Sequence, residues 1–569
     1  MRTALLVLLV AVLLPAVALA ATKAQKASTI ANDGTIDLNT QTPVMDPPTI
    51  TDSPGTIIGE TSYEYQTNGS NGNRITLDSF GGIHVSWTKG TTLDQRPRYI
   101  FYNFRNEETG LWNSAEGTQV SAEDGTGFTT LSNLLTGEAV VAYHLADATP
   151  SHSAVSVDAV RGFAIFTAYD LLASYGYIWP YISRGNDGRF HMIAEVNEGP
   201  PNRIGYAFSD DDGQTWDRWR DVRSVYGLGV DICSSPVSPK TAILFADTLV
   251  AEYFDVFYVE SEDGQTWDFA NPVCITQYTS NDSVTAWPDV EGIYDYDDNL
   301  HIAYIELDNY ADEEIGDLMH WSEATDNSVI ASNRQGCPAQ NWIYYACIIK
   351  PNLGIDPGSG NIYALWSEGY HDDVSAAGFA NHDLYAAASI DNGATWFDKV
   401  DVTNSPTPGC SPPDCDHDMW SSMAEQVDSV LHIMYIDDDD AGAAWNAQGV
   451  WTMNNVLYLE VDTTLLIPSG IEDRDADLPF DFELGQNYPN PFNAKTIISL
   501  QGEVHSGNLA IYDVAGRMVR SFMLDENTRS ITWDGADASG QTVASGTYFY
   551  SVNFDDFGKA ATRKMTLLK

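Results

Sequence analysis

One short strand pattern recurs along the chain and limits what it can fold into. Its form is Gly or Asn, aliphatic, His, aliphatic, small, aromatic. It appears as Gly82-Ile83-His84-Val85-Ser86-Trp87, Arg189-Phe190-His191-Met192-Ile193-Ala194 and Asn299-Leu300-His301-Ile302-Ala303-Tyr304. Asn361-Ile362-Tyr363-Ala364-Leu365-Trp366 and Val430-Leu431-His432-Ile433-Met434-Tyr435 repeat it, and Ala139–Tyr143 and Ala242–Ala246 are weaker copies. Seven copies between residues 84 and 432 give a mean spacing of 58 residues. Between copies lie short β-branched and aromatic runs cut by Gly, Asp and Asn turns, and helical periodicity is scarce. Several strands per repeat at this period predict an all-β propeller over 61–463, seven blades favoured and six possible, rather than a sandwich. The repeated His alternate with aliphatics, one per repeat. They read as packed or hydrogen-bonded within each blade, not as metal ligands.

Charge narrows the function. The 569 residues carry 80 Asp+Glu against 28 Lys+Arg, a net charge of −52. A surface that binds phosphates needs excess Lys and Arg, so nucleic acid and anionic lipid are poor partners. At 43% hydrophobic residues, the chain still has enough apolar side chains to build cores. The charge is uneven: residues 484–569 hold 8 basic and 8 acidic residues, and residues 1–483 hold 20 and 72. That asymmetry predicts two modules.

The ends and the cysteines speak to export. Arg2, the apolar run Leu5–Leu14 and Ala18-Leu19-Ala20 read as a secretory signal over 1–20, too short an apolar run to span a bilayer. Residues 21–60, rich in Thr, Pro, Asp and Ser, read as a flexible leader, and 464–483 as a linker. After signal cleavage no stretch is expected to span a membrane. Six cysteines, Cys233, Cys274, Cys337, Cys347, Cys410 and Cys415, suggest disulfides in an exported chain, with sequential pairing the expectation. The chain has no CxxC, which makes a Cys metal site the weaker reading.

Two motif sets carry family resemblances. Ser209–Trp216 and Ser389–Trp396 both fit S-x-D-x-G-x-T-W, through Asp211, Gly213 and Trp216 and through Asp391, Gly393 and Trp396. Glu260–Trp267 keeps Gly264, Thr266 and Trp267, with Glu at the Ser and Asp places. These resemble the Asp-box of sialidases and related propellers. The resemblance implies hairpin turns between third and fourth blade strands, on the face opposite the ligand pocket. Leu484-Gly485-Gln486-Asn487-Tyr488-Pro489-Asn490-Pro491-Phe492-Asn493, Ile511–Val519, Trp533-Asp534-Gly535, Gly546–Tyr550 and Lys564–Lys569 resemble the C-terminal sorting domain of type IX secretion. They also resemble the immunoglobulin-like domain of the flagellar hook-capping protein. This implies a small β-sandwich over 484–569, recognised by outer-membrane secretion machinery, and a protein that is secreted or held at a bacterial cell surface.

The sialidase resemblance does not extend to catalysis. That family needs three Arg to clamp a carboxylate. Arg74, in Asn73-Arg74-Ile75-Thr76, echoes the family's Arg-Ile-Pro without the Pro, and after Arg223 the propeller has only Arg334. No catalytic residue is carried over. Just past the repeated strand stand Asp147, Glu195, Asp247, Glu306, Glu368 and Asp437, with Lys89 in the first copy. If second strands end at the mouth, these six carboxylates form a ring there. Such a ring would repel sialic acid and attract Ca2+ or a cationic ligand. Asp437 and Asp438, in the run Asp437–Asp440, are the candidate Ca2+ ligands. Tyr177, Trp179, Trp287 and the stretch Asp416–Trp420, ending in Trp420, are candidate stacking residues for sugars. The favoured function is binding of an extracellular glycan or surface polymer. A glycoside hydrolase using two mouth carboxylates and a structural or adhesion protein are the alternatives, so catalysis stays open.

Overall fold

The structure is a computed structural model. It describes residues 53–148, 150–171, 176–196, 201–226, 229–250, 253–279, 282–308, 315–338 and 346–467, and residues 482–568 except 491, 494, 503, 513–517, 538–539 and 555–557. The expected signal, most of the leader and most of the linker lie outside the described residues. The chain divides into two compact units, Met1–Leu466 and Ile467–Lys569.

After β1 (Thr56–Thr61), the first unit lays down antiparallel strands in fours. The first sheet is β2 (Ile75–Leu77), β3 (Ile83–Gly90), β4 (Arg98–Arg105) and β5 (Thr118–Gln119); the second is β6 (Thr126–Asn133), β7 (Ala139–Leu145), β8 (His152–Asp158) and β9 (Phe166–Asp170). The third is β10 (Tyr177–Arg184), β11 (Phe190–Val196), β12 (Asn202–Ser209) and β13 (Arg220–Val225); the fourth is β14 (Val230–Ser234), β15 (Thr241–Val250), β16 (Tyr253–Ser261) and β17 (Val273–Cys274). The fifth is β18 (Val284–Tyr294), β19 (Leu300–Asp308), β20 (Gly316–Ser322) and β21 (Asp326–Asn333); the sixth is β22 (Ile348–Ile355), β23 (Ile362–Val374), β24 (Ala380–Ser389) and β25 (Val400–Asp401). The last is β26 (His417–Met423), β27 (Val430–Asp438) and β28 (Asn454–Asp462), completed by β1, which pairs with β28. First strands touch in cyclic order from β2 through β26 and back to β2. This ring of radially packed sheets is a β-propeller.

Sequence explains the ring. The recurring pattern forms the second strand of every sheet. In β7 and β11 every residue is buried, so both faces of the sheet must be covered by neighbours. The recurring His bond inside their own sheets: His84 Nδ1 is 2.7 Å from the Tyr102 hydroxyl, His191 Nδ1 2.8 Å from that of Tyr206, and His432 Nδ1 2.7 Å from that of Tyr458. The S-x-D-x-G-x-T-W turns and the related turn Glu260–Trp267 join β12 to β13, β24 to β25 and β16 to β17, the third-to-fourth connections. Thr56–Thr61, all but its last residue expected in the leader, instead closes the ring, because the last sheet needs a fourth strand.

Cys337–Cys347 and Cys410–Cys415 form disulfides as expected, but Cys233 and Cys274 are free. They lie on β14 and β17, the first and fourth strands of one sheet, and three interstrand spacings far exceed disulfide reach. The second unit is all-β, with β29 (Phe482–Leu484), β30 (Thr496–Gly502) and β33 (Ser530–Trp533) in one sheet. β31 (Gly507–Tyr512), β32 (Met518–Leu524), β34 (Gly546–Phe554) and β35 (Gly558–Leu567) form the other. Trp533, Tyr550 and Phe554 are among its fully buried residues.

Candidate functional site: the ring axis

The connection from β1 to β2 occupies the axis. Every residue from Thr61 to Gly72 is buried, although the segment is not a strand. First strands around the ring meet several of its polar groups, as burial demands. The Tyr181 hydroxyl (β10) donates to Ser70 O at 2.8 Å, and Val290 N (β18) donates to Ser70 Oγ at 3.1 Å. Lys350 Nζ (β22) donates to Gly69 O at 2.6 Å. Arg74 Nη2 donates to Trp420 O at 2.7 Å and Ser421 O at 2.9 Å (β26). Arg74 is fully buried and bonds through Nη2, while its Nε and Nη1 are buried without a hydrogen-bond partner among the described residues. Gly72 has φ +67°, and a Cβ there would stand 2.8 Å from Thr130 Cγ2, so the close approach requires glycine.

A cavity of about 320 Å3 lies at one end of this axis, where β2, β6, β10, β14, β18 and β22 finish. Its polar lining includes Asn73, Thr76, Ser132, Asn133, Ser183, Asn186, Ser234 and Gln426, with Tyr294 and Tyr296; Ile75, Ile182, Ile293 and Ile355 add apolar surface. Two charged residues line it, Arg184 and Glu425. Asn73 Nδ2 donates to Glu425 Oε1 at 2.5 Å. Burial pushes the Glu425 carboxyl up, with the Asn73 hydrogen bond and the Arg184 charge pulling against it. Burial likewise lowers Arg184, offset by Glu425, and its Nε and Nη1 are buried without a hydrogen-bond partner among the described residues. Nearby Asp231 is raised to about 7 by burial, opposed by the Gly292 and Ile232 amides. Glu291 is pushed well up by burial and by the charges of Asp231 and Glu425. First strands end where first-to-second turns begin, and antiparallel order puts third-to-fourth turns at the same end. The cavity thus shares its face with the third-to-fourth turns.

At the other end stand the six carboxylates expected as a ring. Asp247, Glu306, Glu368 and Asp437 hold equivalent register positions, but Glu195 stands one residue earlier, on the other sheet face, Asp147 lies beyond the end of β7, and the six do not converge on one opening. Asp147 is exposed and pairs with Arg96 at 2.6 Å. Glu195 is fully buried, accepts from Asn202 at 3.2 Å and is raised to about 8, chiefly by burial. Asp247 is buried against Arg223 at 2.9 Å, and half-buried Glu306 accepts from the Tyr278 hydroxyl at 2.6 Å. Glu368 is buried with Lys399 at 2.6 Å and the Trp366 indole at 2.9 Å. Asp437 is buried beside its register partner Asp418 and accepts from Asn455 at 3.4 Å. Period-two alternation explains this. Glu195 shares a sheet face with Ile193, which packs in the core between the third and fourth sheets. Lys89 is nearly buried over the Phe101 ring.

The aromatic expectations are corrected as well. Trp179 and Trp420 sit at positive φ in β-bulges of first strands and are fully buried, so neither offers a free face. Trp287 is partly buried against the core, and Tyr177 stacks on Trp219 at 4.6 Å. Among the described residues, no three His, Cys, Asp or Glu side chains gather as a metal site around Asp437 and Asp438 or elsewhere. Sequence reasoning missed Arg184 and Glu425. Arg184 ends a first strand and Glu425 follows one, a signal visible only once the strands are counted.

Residues 492–556 match the FlgD Ig-like domain family. No curated protein matches the chain. Among solved structures, the chain is similar to an ulvan lyase, a polysaccharide lyase solved with a -[GlcA(1-4)Rha3S]- ligand. There the TM-score is 0.42 and identity 12%, over 71% of this chain and 96% of that one. A Hadza microbial sialidase gives TM-score 0.36 and 13% identity over 66% and 75% of the two chains. The α-L-arabinanase of Penicillium chrysogenum gives 0.38 and 10% over 73% and 99%. The propeller assignment rests on this chain's own sheet order. No helix among the described residues is long and apolar enough to cross a membrane.

Proposed function

We propose that the protein is an exported, seven-bladed propeller that binds a unit of an extracellular glycan in the axial cavity. The supporting observation is the lining. Neutral amide and hydroxyl groups from several first strands surround a space about the size of a small-ligand pocket, with isoleucine surface between them. Such a wall hydrogen-bonds hydroxyls and packs against the apolar face of a sugar ring. Arg184, with buried donors unmet, and Glu425, bonded through Asn73, fix the ligand's orientation. The test is a glycan array on the full chain, followed by titration of the best ligand. Asn133→Ala and Arg184→Ala are expected to weaken binding at least tenfold. A wild-type chain that binds no glycan refutes the proposal.

One observation favours a second reading, glycoside hydrolysis. Glu425 lines the cavity with its carboxyl held up by burial, as a general acid requires. Reducing ends released by wild type and lost in Glu425→Gln would establish it. The second unit serves export through a type IX-like sorting route, consistent with its Ig-like match. Deleting 484–569 is expected to stop release of the propeller from cells, and export at full yield would refute that role.

A further inference from the structure

The cavity at the ring axis has a neighbour. A second hollow of about 270 Å3 lies between the second and third sheets, and its walls include Thr136, Glu138, Asp158, Tyr169, Asp212 and Gln214. It opens on the same face as the axial cavity. Thr136 and Glu138 belong to the turn from β6 to β7, and Asp212 and Gln214 to the turn from β12 to β13. The two hollows meet at one of these turns. Leu135 lines the axial cavity, and its chain neighbours Leu134 and Thr136 line the second hollow. Leu135 is 56% exposed, so it stands as a ridge between them and not as core.

The axis itself is closed. The buried segment Thr61–Gly72 fills it, and Asn73, the next residue, lines the axial cavity. A chain molecule seated in that cavity cannot pass through the ring and must leave across the rim. Over the Leu135 ridge it meets a hollow of similar size, and the walls of that hollow select what fits. Tyr169 is half-buried against the core and brings a ring and a hydroxyl. Thr136, Thr167 and Gln214 are exposed and bring neutral hydrogen-bonding groups. Glu138, Asp158 and Asp212 line the hollow with no Lys, Arg or His among the described residues. Asp158 is spent on its own turn, accepting from Ile165 N at 2.9 Å and Ala164 N at 3.2 Å, and Glu138 accepts from the Thr136 hydroxyl. Acids without a counter-charge repel an anionic sugar, whereas the hydroxyl and amide groups hold an uncharged one.

We propose that the second hollow is a further subsite for the same glycan, and that this glycan is an uncharged polysaccharide bound as a chain across the Leu135 ridge. The inference rests on the glycan reading of the axial cavity. The test measures the affinity of the full chain for cello-, xylo-, manno- and arabino-oligosaccharides, from disaccharide to hexasaccharide, with oligogalacturonates as the anionic arm. In the series that binds, affinity should rise at least tenfold with length, and oligogalacturonates should show no such rise. Gln214→Ala and Tyr169→Ala should each remove most of the rise and leave disaccharide affinity unchanged, whereas Asn133→Ala weakens every length. Gln214 sits on an exposed turn, so that variant decides even if Tyr169→Ala misfolds. Disaccharide binding with no gain from length, a gain untouched by either variant, or a gain confined to oligogalacturonates overturns the proposal and leaves the glycan reading standing. Failure of every oligosaccharide to bind counts against both.

Discussion

Burial, more than contact with other charges, sets the behaviour of single residues here. Glu195 is the clearest case, a carboxyl raised to about 8 with one amide partner. Folded protein keeps a proton on Glu195 that the unfolded chain releases near the ordinary Glu pKa. Stability therefore falls as pH climbs from about 5 to 8 and levels off above that. Glu195→Gln removes this liability. Its Tm should match wild type at pH 5 and exceed it at pH 9, by an equivalent of about 4 kcal/mol. Equal differences at both pH values would show that Glu195 is ionised throughout. The same burial explains why residue identity misled. Asp147, Glu195, Asp247, Glu306, Glu368 and Asp437 were legible as residues just past a repeated strand, but a one-residue slip puts Glu195 on the other face, and sequence does not reveal what the neighbouring sheet places opposite each one. Arg223, Tyr278 and Lys399 come from elsewhere in the chain and turn an expected rim into separate local pairs.

At the level of elements, the turns were the most legible feature, because their chemistry is local. In the two S-x-D-x-G-x-T-W turns the motif Asp takes both Thr groups: Thr215 N and Oγ1 lie 2.8 and 2.7 Å from Asp211, and Thr395 N and Oγ1 lie 2.9 and 2.7 Å from Asp391. The third turn departs from the motif. Asp263, one position later, does this work at 2.6 and 2.9 Å from Thr266, leaving Glu262 outside. Asp263→Ala should thus lower the urea midpoint, like Asp211→Ala, and Glu262→Ala should leave it almost unchanged. A larger loss at Glu262 would contradict the assignment. The cysteines follow the same rule of locality. The pairs separated by 10 and 5 residues close, and the pair spread across a sheet does not. Thiol titration of the denatured, unreduced chain should therefore count two free groups; none would mean that Cys233 and Cys274 meet.

For the whole molecule, the repeat length was enough to predict a ring, since each sheet is built from neighbours in sequence. Its closure was not legible, because β1 and β28 are paired across the full length of the unit. Deleting residues through Thr61 leaves the last sheet with three strands. Thermal unfolding followed by circular dichroism should then lose its single sharp transition; an unchanged melt would show that β1 only decorates the edge. The axial segment was hidden for the same reason: Asn71 and Arg74 bond to residues about 350 positions away. This has a consequence for assembly. A chain made from its N-terminus produces the hub of the wheel first and the final spokes last. Until β26 to β28 emerge, Asn71 and Arg74 of the hub lack the carbonyls they bond to, and the contact order of the finished unit is high. Folding should be slow and late, and a premature stop before residue 417 should yield an aggregate rather than a smaller ring.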